Sequence, residues 1–541
     1  MFNWKEFEKT KAVLLHSAES QYREDWGQHH LTIRPTELLD WVEFLKDDLG
    51  FFTLSEVGAV ELEEGEFEVL YHLLNMGTHQ RLNLHVMVKA KEVIPSVRGF
   101  YANADWMERE QEEMLGLTFS LKGKGLLLPD GQKVHPLRLK ANPISWPQEK
   151  DLEVPALRYN PNKSETPYAE ESYRWKHYDL LSPETLGAFE CLVCFDPVKV
   201  VETQLRIGFH HQAMEKILQE RDIVQILHLV DRINPESSLQ YAIAWAKTIE
   251  EMFRIRIPER TQAVRLILLE LIRIADHLTV LSSICMEAKQ EEAKYFLNAR
   301  EKVYELLERF AGHRLGQGVI RIGGLSQDLP HGWIVENQLV ADILSKNLPI
   351  IHKSLIHQKK FRSHLEGEAI DAQSIIQWGV SGPAMRAAGL NFDLRKSQPF
   401  YFYQDIDFDI PVGIHGSLYD RYLIRFEEIF QSLRIITQVI DNLPLGETIS
   451  EQFQREYPGV LETMKNLEFP LQWHYSPIES SSGEAGFLVK LNASLKPQRV
   501  KVKTPGFAIA QAISVFSKSL QEEQLSTGLA SLGLNRWEMD R

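Results

Sequence analysis

The sequence is poor in cysteine, in unbroken apolar runs and in basic charge, and each shortage removes a class of function. Three cysteines in 541 residues, Cys191, Cys194 and Cys285, rule out a disulfide scaffold and fit a reducing compartment. Cys191 and Cys194 form a C-x-x-C within FECLVCFD, but that segment alternates like a strand, which sends side chains three apart to opposite faces. No second thiol pair completes a zinc or iron–sulfur set, so buried apolar thiols are expected and no metal ligand is assigned. The longest apolar stretch, Ala263 to Cys285, is broken by Arg265, Glu270, Arg273, Asp276 and His277, and the uncharged run Thr504–Ser517 is too short to span a bilayer. No transmembrane helix is therefore expected, and the charged opening MFNWKEFEKTK has no apolar signal-peptide core. A net charge of −15 argues against nucleic acid as a partner. No Gly-rich nucleotide fingerprint follows a strand and no nucleophile–base constellation stands out, which disfavours a free-standing enzyme.

What is present is the composition of a large globular chain, 44% hydrophobic and 25% charged, long enough for two or more domains. The expected class is α+β. Residues 1–145 read as an α/β domain, 146–172 as a proline-rich linker, and 173–541 as a mainly helical domain with small β elements. In the first domain, Thr36–Gly50 has helical spacing, with Leu38, Leu39, Trp41, Val42 and Leu45 on one face and Gly50 as the cap. FFTLSEVGAVEL, EFEVLYHLLNM and RLNLHVMVKA alternate as strands, ADWMEREQEEMLG is a helix ending at Gly116, and LLLPDG (Leu126–Gly131) is a short strand running into a turn. In the second, a helix opens at Pro258 and is apolar nearly all round, so it belongs at the centre of a bundle. Its charged residues then need partners, because an unpaired buried charge costs several kcal/mol or more. Two further helices are expected, in EEAKYFLNAREKVYELLERFAG, closing near Gly312, and in DRYLIRFEEIFQSLRIITQVIDNL. Strands GFLVKLNA and QRVKVKT and a last helix from about Gly506 complete the tail.

Two sets of motifs resemble known subunits. WMEREQEEMLGLTF followed by LLLPDGQKVHPLR is similar to the C-type subunit of bacterial respiratory complex I. IPERTQAVRLILLELIRIADHL, VIRIGGLSQDLPHGW, GPAMRAAGLNFDLRKSQPF and DFDIPVGIHGSLYDRYLIRFEE resemble the D-type subunit, which has the fold of the [NiFe]-hydrogenase large subunit. The order matches a fused C/D subunit of an NADH-quinone oxidoreductase. The resemblance covers nearly the whole chain, and such long motifs in order are far more specific than one short pattern.

The resemblance implies a peripheral subunit on the cytoplasmic side of the membrane. It would pack on the B-type subunit that carries the terminal Fe-S cluster, with I-type, H-type and antiporter-like membrane subunits as further partners. No cofactor is expected on the chain itself. Quinone would lie at its interface, and NADH on another subunit. The matching hydrogenase segment carries Arg-x-Cys-x-x-Cys and the quinone-reducing one Arg-Met-Asp-Tyr. Here DRINPESSLQY keeps Arg232 but has Asn234 and Ser237 at the cysteine positions and Pro235 at the tyrosine. A nickel–iron centre is excluded, since soft thiolates are missing there and in the C-terminal GLNRWEMDR. The family's loop histidines fall on Ser182 and Leu186, its two later histidines on Gly316 and Gln317, an acidic residue after the long helix on Met286, and another on Ser417.

These changes imply a degenerate quinone chamber, and no catalytic residue is assigned. Arg232 is expected near the partner's Fe-S cluster, where its charge would tune the potential or form an interface ion pair. His210 and His211 are candidates on spacing, and His211 matches a family histidine, which favours a structural role. Arg386, Asp393, Arg395, Lys396, Asp420 and Arg421 read as buried pairs holding loops to the bundle. The alternative function is a redox-inactive scaffold in a related ion-translocating, energy-converting-hydrogenase-like complex.

Overall fold

A computed structural model describes residues 20–123, 125–128, 134–140, 173–179, 189–315, 318–366, 369–454, 458–518 and 520–541. The expected linker, 146–172, lies outside these. The first region is a five-stranded sheet of β1 (Gln21–Asp25), β2 (Gln28–Ile33), β3 (Thr53–Glu63), β4 (Glu66–Asn75) and β5 (Gln80–Lys89). Its order is β1-β2-β5-β4-β3, with β2 and β5 parallel and the other pairs antiparallel. Helices α1 (Leu38–Asp47) and α2 (Ala104–Leu115) accompany it, and α2 ends on Gly116 at φ 70°, the left-handed cap that glycine adopts without strain. Leu38, Trp41, Val42 and Leu45 of α1 are buried as expected, but Leu39 is 37% exposed. One residue past Leu38 it has turned about 100° away from the core. Leu126–Leu128 is not a strand. The backbone N–H groups of Leu126, Leu127 and Leu128 all donate to the Glu113 carboxylate, which replaces a ladder partner with a side chain.

The second region opens with a small antiparallel sheet of β6 (Arg174–Asp179), β7 (Glu190–Phe195) and β8 (Val200–Arg206). Cys191 and Cys194 lie on β7, both buried, and burial pushes their thiols up to about 12 and about 11. The helical bundle follows: α3 (Ser238–Met252), α4 (Glu259–Glu287), α5 (Ala293–Ala311), α6 (Trp333–His357) and α7 (Leu418–Asp441). Pro258 is the N-cap of α4, and Gly312 closes α5 at φ 76°. A last sheet, β9 (His474–Glu479), β10 (Glu484–Leu491) and β11 (Pro497–Lys503), leads to short helices ending with Arg536–Met539.

The charges on α4 are partnered, which is what allows the helix to sit at the centre. Arg265 makes a two-pronged pair with Glu250 at 2.7 and 2.8 Å and also donates to the carbonyls of Arg321 and Gly324. Glu270 accepts from Arg273, Arg395, Tyr403 and Ser432. His277 Nε2 lies 2.8 Å from Glu428. The expected loop pairs are present as well, with Arg386 on Glu428 and Glu479, and Arg395 on Asp393 at 2.7 Å. Lys396 donates to the Ile406 carbonyl, and Arg421 to Ser531 and the Gly416 carbonyl. Asp420 and Ser417 form a reciprocal capping box at the start of α7, so serine at 417 closes a helix end.

A second charged layer joins the two regions. Lys501 on β11 reaches Glu110 of α2 at 2.6 Å, Arg541 lies near Glu56 and Glu110, and Arg81 of β5 holds Glu484 with both prongs at 3.0 Å. One hydrophobic cluster takes in residues from Leu31 to Met539, and a smaller one, Val60, Leu70, Trp473, Tyr475 and Leu488, lies between the first sheet and the last.

Candidate functional site

The Asn234-Pro235 break produces two 3₁₀ turns, Val230–Arg232 and Pro235–Ser237, immediately before α3. Proline suits the start of the second turn because its missing N–H would have no helical acceptor there. Asn234 caps that turn, accepting from Ser237 N at 3.3 Å. Its amide nitrogen donates to Glu538 Oε1 at 2.9 Å, and Asn535 Nδ2 donates to Asn234 Oδ1 at 3.2 Å. The break and the C-terminal turn thus face each other. Their donor set is amide, hydroxyl and carboxylate, and a thiolate-held nickel–iron centre does not fit it.

The second half of the site comes from α4. From Ala263 to Cys285 every residue of the helix is buried except Asp276, which is half-buried. The hydroxyls of Ser237 and Ser481 both donate to Asp276 Oδ2. Ser481 sits in the β9–β10 turn, which Arg273 grips by donating to the Ser480 carbonyl at 2.8 Å and the Glu479 carbonyl at 2.6 Å. Arg273 is one helical turn before Asp276, so the same helix supplies the carboxylate and fixes its serine partner. Among the described residues no Lys, Arg or His forms an ion pair with Asp276.

The electrostatics match that geometry. Burial lifts Asp276 to about 6, against the pull of the two serine hydroxyls and with a push from Glu236. Burial lifts Glu538 to about 7, with Asn234 pulling it down and Asp276 pushing it up. Tyr241 is wholly buried beside Glu538, and burial and that carboxylate hold its hydroxyl well above the ordinary value. Tyr304 donates to the Glu236 carbonyl at 3.4 Å. Two carboxyls that exchange protons near neutral pH and two tyrosines therefore surround the break.

Two fused C/D subunits of NADH-quinone oxidoreductase are similar along the chain: that of Bdellovibrio bacteriovorus, 32% identical over 518 residues and 92% of each chain, and that of Photorhabdus laumondii, 28% identical over 581 residues and 96% of each. Residues 31–145 match the model for the respiratory-chain NADH dehydrogenase 30 Kd subunit, and 290–541 match that for the 49 Kd subunit. The chain belongs to the fused C/D subunits of NADH-quinone oxidoreductase. It is a member of an electron-transport oxidoreductase family that works in a multisubunit assembly. The break, 231–241, precedes the residues matched by the 49 Kd model. Among the described residues no helix is long and apolar enough to cross a membrane.

The residues singled out in the sequence of this family member are only partly brought together. The Arg232 side chain is 72% exposed, with Asp231 3.8 Å away. His211 Nδ1 lies 3.1 Å from the Asp540 carbonyl, and His210 N donates to the Asp540 carboxylate at 2.7 Å while its ring packs on Trp537. Both histidines thus border the C-terminal turn, against a residue two positions from Glu538. Met286 is 40% exposed, and the carboxylate of Glu287 follows it as the last residue of α4. Ser182, Leu186, Gly316 and Gln317 lie outside the described residues.

Asp276 and Glu538 had no assigned role in the sequence. The available signal was Asp276 itself, a charge in the middle of an all-round apolar helix whose neighbouring arginine already has a glutamate to pair with.

Beside His211, Ala213 adopts φ 51° and ψ 36°, a left-handed conformation that a side chain disfavours, and it is exposed. Ala213→Gly relieves roughly 1–2 kcal/mol of backbone strain and gives back part of that as unfolded-state entropy. A net gain of up to about 1 kcal/mol in unfolding free energy is expected, read as a higher urea midpoint at unchanged slope.

Proposed function

We propose that the chain is a peripheral-arm subunit of a complex I-like NADH-quinone oxidoreductase, and that the Asn234–Ser237 break forms the inner wall of its quinone chamber. The observation that carries this reading is the meeting of the break with the C-terminal turn and with Asp276, the one residue of the α4 core that is not fully buried. Exposed Arg232 beside the break favours a neighbour there, the terminal Fe-S subunit of B type, whose cluster would deliver electrons. I-type, H-type and antiporter-like subunits would complete the complex on the cytoplasmic side of the membrane, with NADH oxidised on another subunit. The chamber departs from the usual one in lacking the tyrosine hydroxyl at 235, since proline has none to offer.

The test is quinone reduction by the purified complex, driven by NADH, with and without a quinone-site inhibitor. Inhibitor-sensitive turnover is expected. Its absence in a fully assembled complex overturns the reading in favour of the scaffold.

A further inference from the structure

We propose that Asp276, acting through Ser237 and seconded by Ser481, delivers the protons of quinone reduction in this chain, in place of a phenol at position 235. The proposal rests on the chamber reading above and adds the proton path. A carboxylate near the middle of a buried helix is costly unless a cation pairs with it. Arg273, the nearest cation on the helix, is committed to Glu270 and to the Glu479 and Ser480 carbonyls. Asp276 has instead two hydroxyls on one oxygen, an arrangement that suits both a charged and a protonated acid. Ionised, it accepts from both serines; protonated, it donates to Ser237, whose hydroxyl can pass its own proton onward because Oγ both donates and accepts. Ser237 lies two residues beyond Pro235, on the turn where the ring would sit.

Protons and electrons balance in this step. Two electrons arrive singly from the neighbouring subunit's iron–sulfur carrier. As the ring is reduced, one carbonyl oxygen takes a proton from Ser237 Oγ, which is refilled from Asp276. Asp276, which is only partly buried, recovers its proton from solvent and serves the second oxygen once the ring presents that end to Ser237. Quinone, two electrons and two protons become quinol. Asp276 exchanges its proton near pH 6, close to the range where a proton donor works best. Glu538 is a poorer candidate, for its oxygens are taken by the Asn234 amide and the Gly506 N–H. Asn234, an amide, cannot carry its proton on.

The experiment uses the intact complex with NADH as donor and a short-chain benzoquinone as acceptor. Electron transfer from NADH to ferricyanide is followed in parallel as a measure of assembly. Asp276→Asn is expected to lower kcat for the quinone roughly 100-fold, with KM and the ferricyanide rate nearly unchanged and the pH dependence of kcat flattened around pH 6. Asp276→Glu is expected to restore at least a tenth of the rate, with the pH profile displaced. An Asp276→Asn complex that reduces quinone with the rate and pH profile of the parent overturns the proposal, while leaving the chamber reading standing.

Absence of inhibitor-sensitive turnover in the parent overturns both. If Asp276→Asn fails to assemble, two measurements decide instead. Ser237→Ala should show the same loss of kcat, and difference infrared spectra of the parent should contain a carboxylic-acid band titrating near pH 6. An unchanged Ser237→Ala rate or a missing band overturns the proposal.

Discussion

Replacing Glu428 with alanine is expected to lower the melting temperature of the chain by roughly 3–5 °C, a large shift for one residue in a chain of this size. Glu428 is fully buried on α7, accepts from Arg386 Nε at 2.8 Å, lies 2.8 Å from His277 Nε2, and has Arg386 Nη2 at 2.7 Å as an ion-pair contact. It belongs to a cluster with three arginines, Arg273, Arg386 and Arg395, and four carboxyls, Glu270, Asp393, Glu428 and Glu479. Burial and the Asp393 charge lift Glu479 to about 7. Burial holds His277 down at about 4, against the pull of Glu428, and the ring is neutral. Removing Glu428 leaves Arg386 one carboxylate short in a fully buried site, and breaking one side of such a pair costs about 3–5 kcal/mol.

The control is Arg434, which pairs with Asp407 and Asp409 but whose side chain is 42% exposed. Arg434→Ala should cost about 1 kcal/mol or less. Equal effects of the two substitutions in thermal melts would sink the claim that burial sets the scale. The cluster also matters to the site, because Arg273 fixes the turn that carries Ser481.

The architecture was legible where one segment decided its own fate. α4 follows from an apolar pattern too wide for a surface helix, and Gly116 and Gly312 close α2 and α5 because only a left-handed cap ends those helices neatly. The tail strand QRVKVKT also reads as a strand, but its alternation suggests one wet face. Arg499, Lys501 and Lys503 are instead 1%, 0% and 4% exposed, and their partners Glu215, Glu110 and the Ser55 carbonyl come from other parts of the chain. Alternation cannot distinguish a solvated face from one covered by opposite charges.

The site was half-legible for the same reason. The vacated positions Asn234, Pro235 and Ser237 lie in one short segment, whereas Asp276, Ser481 and Glu538 reach them from a helix, a hairpin turn and the last short helix. A comparison of positions reads a missing tyrosine as a missing proton donor. It has no means of seeing a carboxyl brought in by folding.

Acid is expected to act on the chain in two stages, with no loss in the first. Burial holds His30, His72 and His277 at about 2, about 3 and about 4, below the ordinary 6.5. As pH falls below 6.5 the unfolded chain binds protons that these folded rings refuse, and stability is lost at about 1.4 kcal/mol per pH unit for each. Four carboxyls work the other way. Burial raises Asp276 to about 6 and Glu108, Glu479 and Glu538 to about 7, so between pH 7 and the ordinary 4.5 the folded state binds protons that the unfolded state does not. The four outweigh the three by about 4 kcal/mol, so stability should hold or rise from pH 7 to about 4.5.

Below that range the raised carboxyls are protonated in both states and their contribution stops growing. His30 and His72 still oppose acid, and four depressed carboxylates join them. Burial works against the charge on each of the four, but His85 and Lys490 outweigh it at Glu68, Lys247 and His474 at Glu251, Arg81 and Lys503 at Glu484, and Arg395 and Arg386 at Asp393, leaving all four at about 2. Six protons then favour the unfolded chain, up to about 8 kcal/mol per pH unit, which is comparable with the whole stability of a domain. Unfolding should therefore be steep and fall between about pH 4 and 3, followed by tryptophan fluorescence and circular dichroism together. A loss that begins near pH 6.5 and proceeds gradually would mean that the histidines act without opposition, and that Asp276, Glu108, Glu479 and Glu538 are not raised above the ordinary carboxylate range.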